Sequence, residues 1–582
     1  MSLVTEQEVA RTLQLEKYGS FGINLTRKMM DILKIKDINI LYDRHKHLEG
    51  IGFIDAVLND LDIRVEISQP DLKRIPKSGP FILVSNHPLG GIDGLIMLKL
   101  LLMSSPDAKI MANFLLAKIK PLASYICQVN PFEERKEIFG SFTGMRHAIQ
   151  NLKDGAPVGI FPAGQVSVRK NGWYGMVDDK EWEHSVLKLI KRARVPVIPL
   201  YFHARNSEIF YILSGIHANF RTASLASEIV KSRHKKVTLR IGHPICPSVQ
   251  NDCKDITGFG VLLRQKTYLL GLSFENKRMP DLIKFRYQPK ALSILPALGE
   301  NGIKKAISEI QNSNGLLLES GNYQVLFTKL DKYPGLLTEI GRLREITFRA
   351  IGEGTNKALD LDKYDEYYHH LILWDKNTEK VAGAYRLGLG KEIYLTKGIK
   401  GFYLSALFRL SGDIHEVFKS SIEMGRAFIT VHHQQKHLPL FLLWKGIFEV
   451  ANRHPEYKYL IGAASISNNY SKFSQSLMVE YLKKYHFDDK NAIHISPIQP
   501  FRSVLKSKDV SLLNQLGSDH LRALDKMIEE IEPQGLKIPV LIKKYLLQNA
   551  KILGFNIDTA FNDVLDCLMY IEICNIEMKK DL

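Results

Sequence analysis

The nine residues Asn86–Gly94, N-H-P-L-G-G-I-D-G, follow the apolar run Phe81-Ile82-Leu83-Val84 and precede the apolar stretch Leu95–Met103. A strand therefore runs into a glycine-rich turn and out into a helix. It delivers a histidine and an aspartate to that turn, an arrangement that pairs an imidazole base with a carboxylate fixing its tautomer. A second glycine turn, Ile160-Phe161-Pro162-Ala163-Gly164-Gln165-Val166-Ser167, and a third apolar run, Val195–Leu200, follow downstream.

The first half alternates helical and extended patterns. Helices are expected near Gln7–Leu15, Phe142–Asn151 and Glu183–Arg192, and strands near Arg64–Ile67, Phe81–Val84, Val158–Phe161, Val197–Phe202 and Lys236–Ile241. Such alternation predicts an α/β layer around a sheet. Near Phe285–Gln311 prolines and glycines break the pattern, giving a first domain over 1–290, a linker over 291–319 and a second domain over 320–582. The second domain is expected to hold a helix over Leu336–Ala350 and a hairpin of His370–Trp374 with Val381–Leu387. An extended run Ala427–Val431, a helix Leu440–Val450, a buried strand Tyr457–Ser465 and an apolar, helical tail (Pro539–Ile542 and Leu546–Asn556) follow.

A chain of 582 residues suits several domains. Its 79 basic and 62 acidic residues give +17, which suggests an anionic partner: a membrane surface or an acidic carrier protein. The tight basic cluster Lys231-Ser232-Arg233-His234-Lys235-Lys236 has a solvated surface as its bland alternative. Without a zinc-finger, helix-turn-helix or aromatic-basic pattern, nucleic acid is not expected as a partner. Five cysteines form no paired framework and no metal-ligand motif, so no metal is expected and a reducing cytoplasm fits. The N-terminus lacks a signal-peptide centre, and no charge-free run is long enough to span a bilayer. Ile110–Ile126, with Lys118 and Lys120 beside Met111, Phe114, Leu115 and Leu116, reads as a helix lying in lipid headgroups or packed on the sheet.

The ordered blocks around His87, Phe161 and Val195 resemble the lysophosphatidic-acid acyltransferase superfamily, which moves fatty acyl groups from carrier protein or coenzyme A to a hydroxyl. The resemblance implies His87 as general base, Asp93 as its orienting partner, and Phe161, Pro162 and Gly164 in the facing turn, with nearby amides for the oxyanion. Two departures stand out. The interval Pro88–Ile92 is one residue longer than the family's, an insertion that Gly90 and Gly91 can absorb. Ala163 and Val166 replace a glutamate and a basic residue that help hold a phosphate-bearing acceptor, which implies an acceptor without glycerol phosphate.

The second half resembles the Gcn5-related N-acetyltransferase (GNAT) fold. Arg349-Ala350-Ile351-Gly352-Glu353-Gly354 matches that fold's pyrophosphate-loop pattern but follows a helix rather than a central strand, so it reads as coincidence. A more specific resemblance is to acyl-homoserine-lactone synthases and ornithine N-acyltransferases. It is carried by Arg344 and Phe348, Asp362 and Asp365, Arg386, and Glu423 with Arg426. The synthases' tryptophan after the phenylalanine is missing. Individually, Asp362 and Asp365 are also read as turn residues and Arg386 as a surface charge.

Together the halves resemble bifunctional ornithine lipid synthases. The resemblance implies that the C-terminal half N-acylates an amino acid with a 3-hydroxyacyl group from acyl carrier protein or coenzyme A. The N-terminal half then esterifies the 3-hydroxyl of that lyso-aminolipid. Glu423 positions the amine or a water, Asp362 and Asp365 hold a cationic group, and Arg386 or Arg426 holds the carboxylate. Ornithine is favoured by those aspartates, with lysine, glycine and serine open. No cofactor is expected, and the enzyme is placed on the inner face of the cytoplasmic membrane as a peripheral protein. The alternatives are a single-function acyltransferase with one degenerate domain, and a non-enzymatic, haemolysin-like membrane-binding protein.

Overall fold

A computed structural model describes residues 3–12, 15–113, 116–129, 138–169, 177–216, 218–253, 255–274, 291–434, 436–505, 513 and 520–576. The chain divides into two compact units, Met1–Glu275 with Glu529–Gly535, and Asn276–Ile528 with Leu536–Leu582.

The first unit is an α/β layer built on a seven-stranded sheet. Its order is Arg64–Glu66, Lys236–Ile241, Val197–His203, Ile82–Ser85, Val158–Ile160, Lys109–Asn113, Ile126–Val129. All neighbours pair in parallel except Val197–His203 with Lys236–Ile241. Ile82–Ser85 is buried along its whole length, as a strand covered on both faces must be. Leu83 faces a core with Phe53, Ile54 and Leu58 of the helix Gly50–Asp60 and with Ile92, Ile96 and Leu100 of the helix Gly91–Leu102. Ile82 and Val84 face the other core, with Leu187 and Ile190 of His184–Ala193 and Phe259 and Leu263 of Ile256–Leu269. In such open sheets the carboxyl ends of the strands carry the ligand site. Here two central, parallel neighbours end in the two glycine turns.

Ile110–Ile126 is not a helix. Lys109–Asn113 and Ile126–Val129 are parallel strands at one sheet edge, joined through short 3₁₀ turns in which Lys118 pairs with Glu8. Buried Ile110 and Met111 serve the sheet, which removes the apolar stripe needed for lipid contact. Phe114 and Leu115 lie outside the described residues.

The second unit holds an eight-stranded sheet ordered Leu316–Ser320, Tyr323–Lys329, His369–Asp375, Lys380–Leu389, Ser421–Ile429, Tyr459–Ile466, Val564–Glu572, Lys551–Asp558. Only Ser421–Ile429 and Tyr459–Ile466 pair in parallel. The helix Pro334–Ala350 packs Leu336 and Ile340 against Ile372, Ala384 and Phe428. The stretch 291–319 contains the helix Glu300–Asn312, whose Ala306, Ile307 and Ile310 enter the same core. The C-terminal tail is only partly helical. After Val540–Leu547, Asn549 in the left-handed region ends the helix, and Lys551–Asp558 forms an edge strand antiparallel to Val564–Glu572. Ile552, Leu553 and Phe555 are all buried, so this short apolar run lacks the alternation that separates strand from helix.

Candidate active sites

In the first unit, His87 lies just beyond the end of Ile82–Ser85, and Asp93 lies in the first turn of Gly91–Leu102. Asp93 is fully buried and its Oδ2 meets His87 Nδ1 at 3.1 Å. That oxygen also accepts from the Leu89 amide at 2.9 Å, while Oδ1 accepts from the Gly94 amide at 2.9 Å. The carboxylate is therefore locked in place at the positive end of a helix. With Nδ1 given to Asp93, Nε2 is left as the basic nitrogen. The imidazole stacks on Phe161 with centroids 3.9 Å apart, and 17% of the His87 side chain is exposed. Gly90 takes φ +82°, the left-handed turn that accommodates the longer His–Asp interval.

Phe161, Pro162 and Gly164 form the turn after Val158–Ile160, and Phe161 lies on the His87 ring. The Gly164 amide donates to the Phe161 carbonyl at 3.0 Å, so that amide serves the turn and not an oxyanion. Val166, where the family's basic residue stands, is buried with Phe210 and Tyr211. The sequence reading missed Asp179. Its Oδ1 accepts from the His87 backbone N–H at 3.2 Å and from Ser167 Oγ at 2.6 Å, and its Oδ2 accepts from Trp182 at 3.3 Å. Burial raises its pKa against those three donors. Ser167 N in turn donates to the His87 carbonyl at 2.8 Å, so both backbone groups of His87 are clamped. Only geometry reveals this, because no spacing links 87 to 179.

In the second unit, Arg344, Asp362, Asp365, Arg386 and Arg426 converge on one network. Arg344 forks onto Asp365 with two contacts of 2.9 Å and also donates to the Asp360 carbonyl. Arg386 reaches Asp362 at 2.6 Å and Asp365 at 3.2 Å, and Arg426 reaches Asp362 at 3.2 Å. Burial alone would raise Asp365, but Arg344, His370 and Arg386 outweigh it and hold its carboxyl well below the usual range. Asp365 is thus saturated by the chain's own cations. Asp362, also held between arginines, keeps 24% of its side chain exposed. Phe348 packs on the core around Ile372 and Phe428.

A bulge separates Glu423 from Arg426, three apart on Ser421–Ile429. The register with Lys380–Leu389 slips between Ala384 and Arg386, and Arg426 takes φ +51°. Bulges of this kind re-aim a side chain. Glu423 is 2% exposed, accepting from the Tyr368 hydroxyl and from the Leu404 amide at 2.9 Å. Burial pushes its pKa up to about 7 despite those bonds, close to the value that suits a base near neutrality. The sequence reading passed over Tyr368, His370 and Asp360. The run Tyr364-Asp365-Glu366-Tyr367-Tyr368-His369-His370, dense in rings and titratable groups before a buried strand, was the available signal. The pyrophosphate-like Arg349–Gly354 closes a helix: Arg349 bonds Glu345 and the Leu292 and Lys357 carbonyls. The strand-to-helix connection Thr430–Lys436 instead carries buried His433, held by Thr430 and Asp375, and contains no glycine.

An Acyltransferase family model matches residues 10–277, and an Acetyltransferase (GNAT) domain model matches residues 343–444. A glycine N(alpha)-acyltransferase of Bacteroides thetaiotaomicron is 30% identical over 274 residues, covering 45% of this chain and 80% of the relative. A lyso-glycine lipid O-acyltransferase of the same species is 30% identical over 253 residues, 42% of this chain and 88% of the relative. Its counterpart in Phocaeicola vulgatus is 31% identical over 251 residues, 42% and 86%. Two acyl-transferring domains on one polypeptide, similar to the enzymes of both aminolipid steps, identify the chain as a member of the bifunctional aminolipid acyltransferases.

Proposed function

We propose that the chain makes a diacylated glycine lipid in two steps. In the second unit the amino-acid nitrogen attacks a 3-hydroxyacyl thioester: the C–N bond forms, the C–S bond breaks, and the carrier thiol leaves. Glu423, acting through Tyr368 or a water, receives the amine's proton. In the first unit the 3-hydroxyl attacks a second thioester. His87 Nε2 takes the hydroxyl proton, Asp93 stabilises the imidazolium, and the proton leaves with the departing thiol. General base catalysis of this kind contributes roughly 10²–10⁴-fold.

The observation that carries the reading is the intact His87–Asp93 pair beside an apolar Val166, a centre equipped for ester formation on an acceptor without phosphate. Ornithine loses its support from the aspartates, because Asp365 and Asp362 are engaged by Arg344, Arg386 and Arg426. The relatives act on glycine by name. Acyl carrier protein is the donor we favour, since Thr430–Lys436 lacks the glycines that let backbone amides cradle a pyrophosphate. An acidic carrier is also drawn by a chain of net charge +17. The same charge favours peripheral binding to anionic lipid, and among the described residues no helix is long and apolar enough to cross a membrane.

The test offers purified protein 3-hydroxyacyl and acyl carrier proteins with glycine, serine, ornithine or lysine, and reads lipid products by mass spectrometry. Glycine should give a product with one amide and one ester, and His87→Ala should stop at the monoacyl amide. Diacyl product from His87→Ala would remove the first unit's assignment, and preferential use of ornithine would remove glycine's.

A further inference from the structure

The basic cluster Lys231–Lys236 belongs to neither centre described so far, yet part of it walls a cavity in the first unit. That cavity, about 280 Å³, is lined by Leu89, Arg205, Asn206, Ser232, Lys235 and Lys236. Asn206 is 3% exposed, and neither its Nδ2 nor its Oδ1 has a hydrogen-bond partner. A buried amide left with both ends unpaired is costly, and such groups ordinarily have partners. Asn206 is one of the residues that line the cavity.

The wall around Asn206 is cationic. Arg205 and Lys236 make only exposed pairs, with Glu208 at 3.8 Å and Glu66 at 2.6 Å. Half-buried Lys235 has no ion pair among the described residues. Lys231 turns away to Glu228. Leu89, another lining residue, donates its amide to Asp93, so the cavity shares a residue with the loop that carries His87.

Building on the glycine-lipid reading, we propose that this cavity holds the headgroup of the O-acylation acceptor. The headgroup of an N-acyl amino acid is a carboxylate one carbon from an amide N–H. Asn206 Nδ2 donates to the carboxylate and Oδ1 accepts the amide N–H, while Lys235, Arg205 and Lys236 supply the positive charge. A volume near the lower end of small-ligand pockets, roughly 300–1,000 Å³, suits a headgroup and leaves the acyl chain outside.

A phosphate on the donor's pantetheine arm is the other anion of this chemistry, and kinetics separate the two. Full-length Asn206→Leu and Lys235→Ala are assayed for ester formation with N-(3-hydroxyacyl)glycine and with its decarboxylated analogue, N-(3-hydroxyacyl)methylamine. Each variant should raise KM for the glycine acceptor by about tenfold with little change in kcat, the signature of lost uniform binding. The methylamine acceptor should be poor for every form and insensitive to Lys235→Ala. A rise in KM for the acyl donor instead, or unchanged kinetics in the half-buried-site variant Lys235→Ala, overturns the proposal. Failure of the unsubstituted enzyme to acylate either acceptor would overturn the glycine-lipid reading itself.

Discussion

Asp93 is a pure acceptor, taking the His87 ring and two backbone amides on its two oxygens. An asparagine has one acceptor oxygen and must turn its NH₂ toward an existing donor. Asp93→Asn should therefore lower kcat of ester formation by about 10²–10⁴-fold, with acceptor KM little changed, in steady-state assays on lyso-lipid. Asp566 carries a different signal. Burial and neighbouring Asp558 push its carboxyl up to about 7, with Ser465 as its hydrogen-bond donor. A carboxyl whose folded pKa is raised gives its full contribution to stability below its unfolded pKa. That contribution is lost as pH rises through about 7. Asp566→Asn should flatten the fall in Tm between pH 5 and 8 relative to the unsubstituted protein, measured calorimetrically; an unchanged profile would assign that fall to other groups. At this scale the sequence exposed His87 and Asp93 because they share one turn. It hid Asp179, whose grip on the His87 backbone spans a distance no motif records.

Elements that alternate, or that bury both faces between clear breakers, could be read in advance: Ile82–Ser85, Val197–His203 and the hairpin His369–Asp375 with Lys380–Leu389 lie where periodicity places them. Lys551–Asp558 did not yield, since an all-buried edge strand has no alternation and its pairing partner lies beyond it in the chain. The network residues were recognisable as a set, but their roles were not, because who pairs with whom depends on the bulge at Arg426. Two substitutions probe these elements. Gly90→Ala would place a Cβ 2.9 Å from Leu225 and 3.2 Å from Val166 at φ +82°. It should cost about 1–3 kcal/mol of stability in denaturant titration and depress ester formation by shifting the His87 turn. Arg344→Ala removes the forked partner of buried Asp365, leaving it Arg386 and His370, and loss of one partner from such a buried pair costs up to roughly 3–5 kcal/mol. Amide formation should fail in that variant while ester formation on supplied lyso-lipid persists.

At the scale of the whole molecule, each reaction centre draws its residues from a single unit: His87, Phe161, Ser167 and Asp179 from the first, Arg344, Asp365, Arg386, Glu423 and Arg426 from the second. In the proposed sequence of reactions, the product of one is the acceptor of the other. Two damaged full-length proteins should then repair each other. His87→Ala should make only the monoacyl amide. Glu423→Gln, which keeps the size of the buried side chain and an acceptor for the Leu404 amide while its NH₂ can donate to the Tyr368 oxygen, should make no amide and still esterify lyso-lipid. Mixed on anionic vesicles with loaded carrier protein and glycine, the pair should produce diacyl lipid after a lag in which monoacyl lipid accumulates. Raising the Glu423→Gln protein alone should shorten that lag. If the mixture yields none while the unsubstituted enzyme yields it freely, the intermediate does not leave the chain that made it, and the two centres work by transfer within one polypeptide.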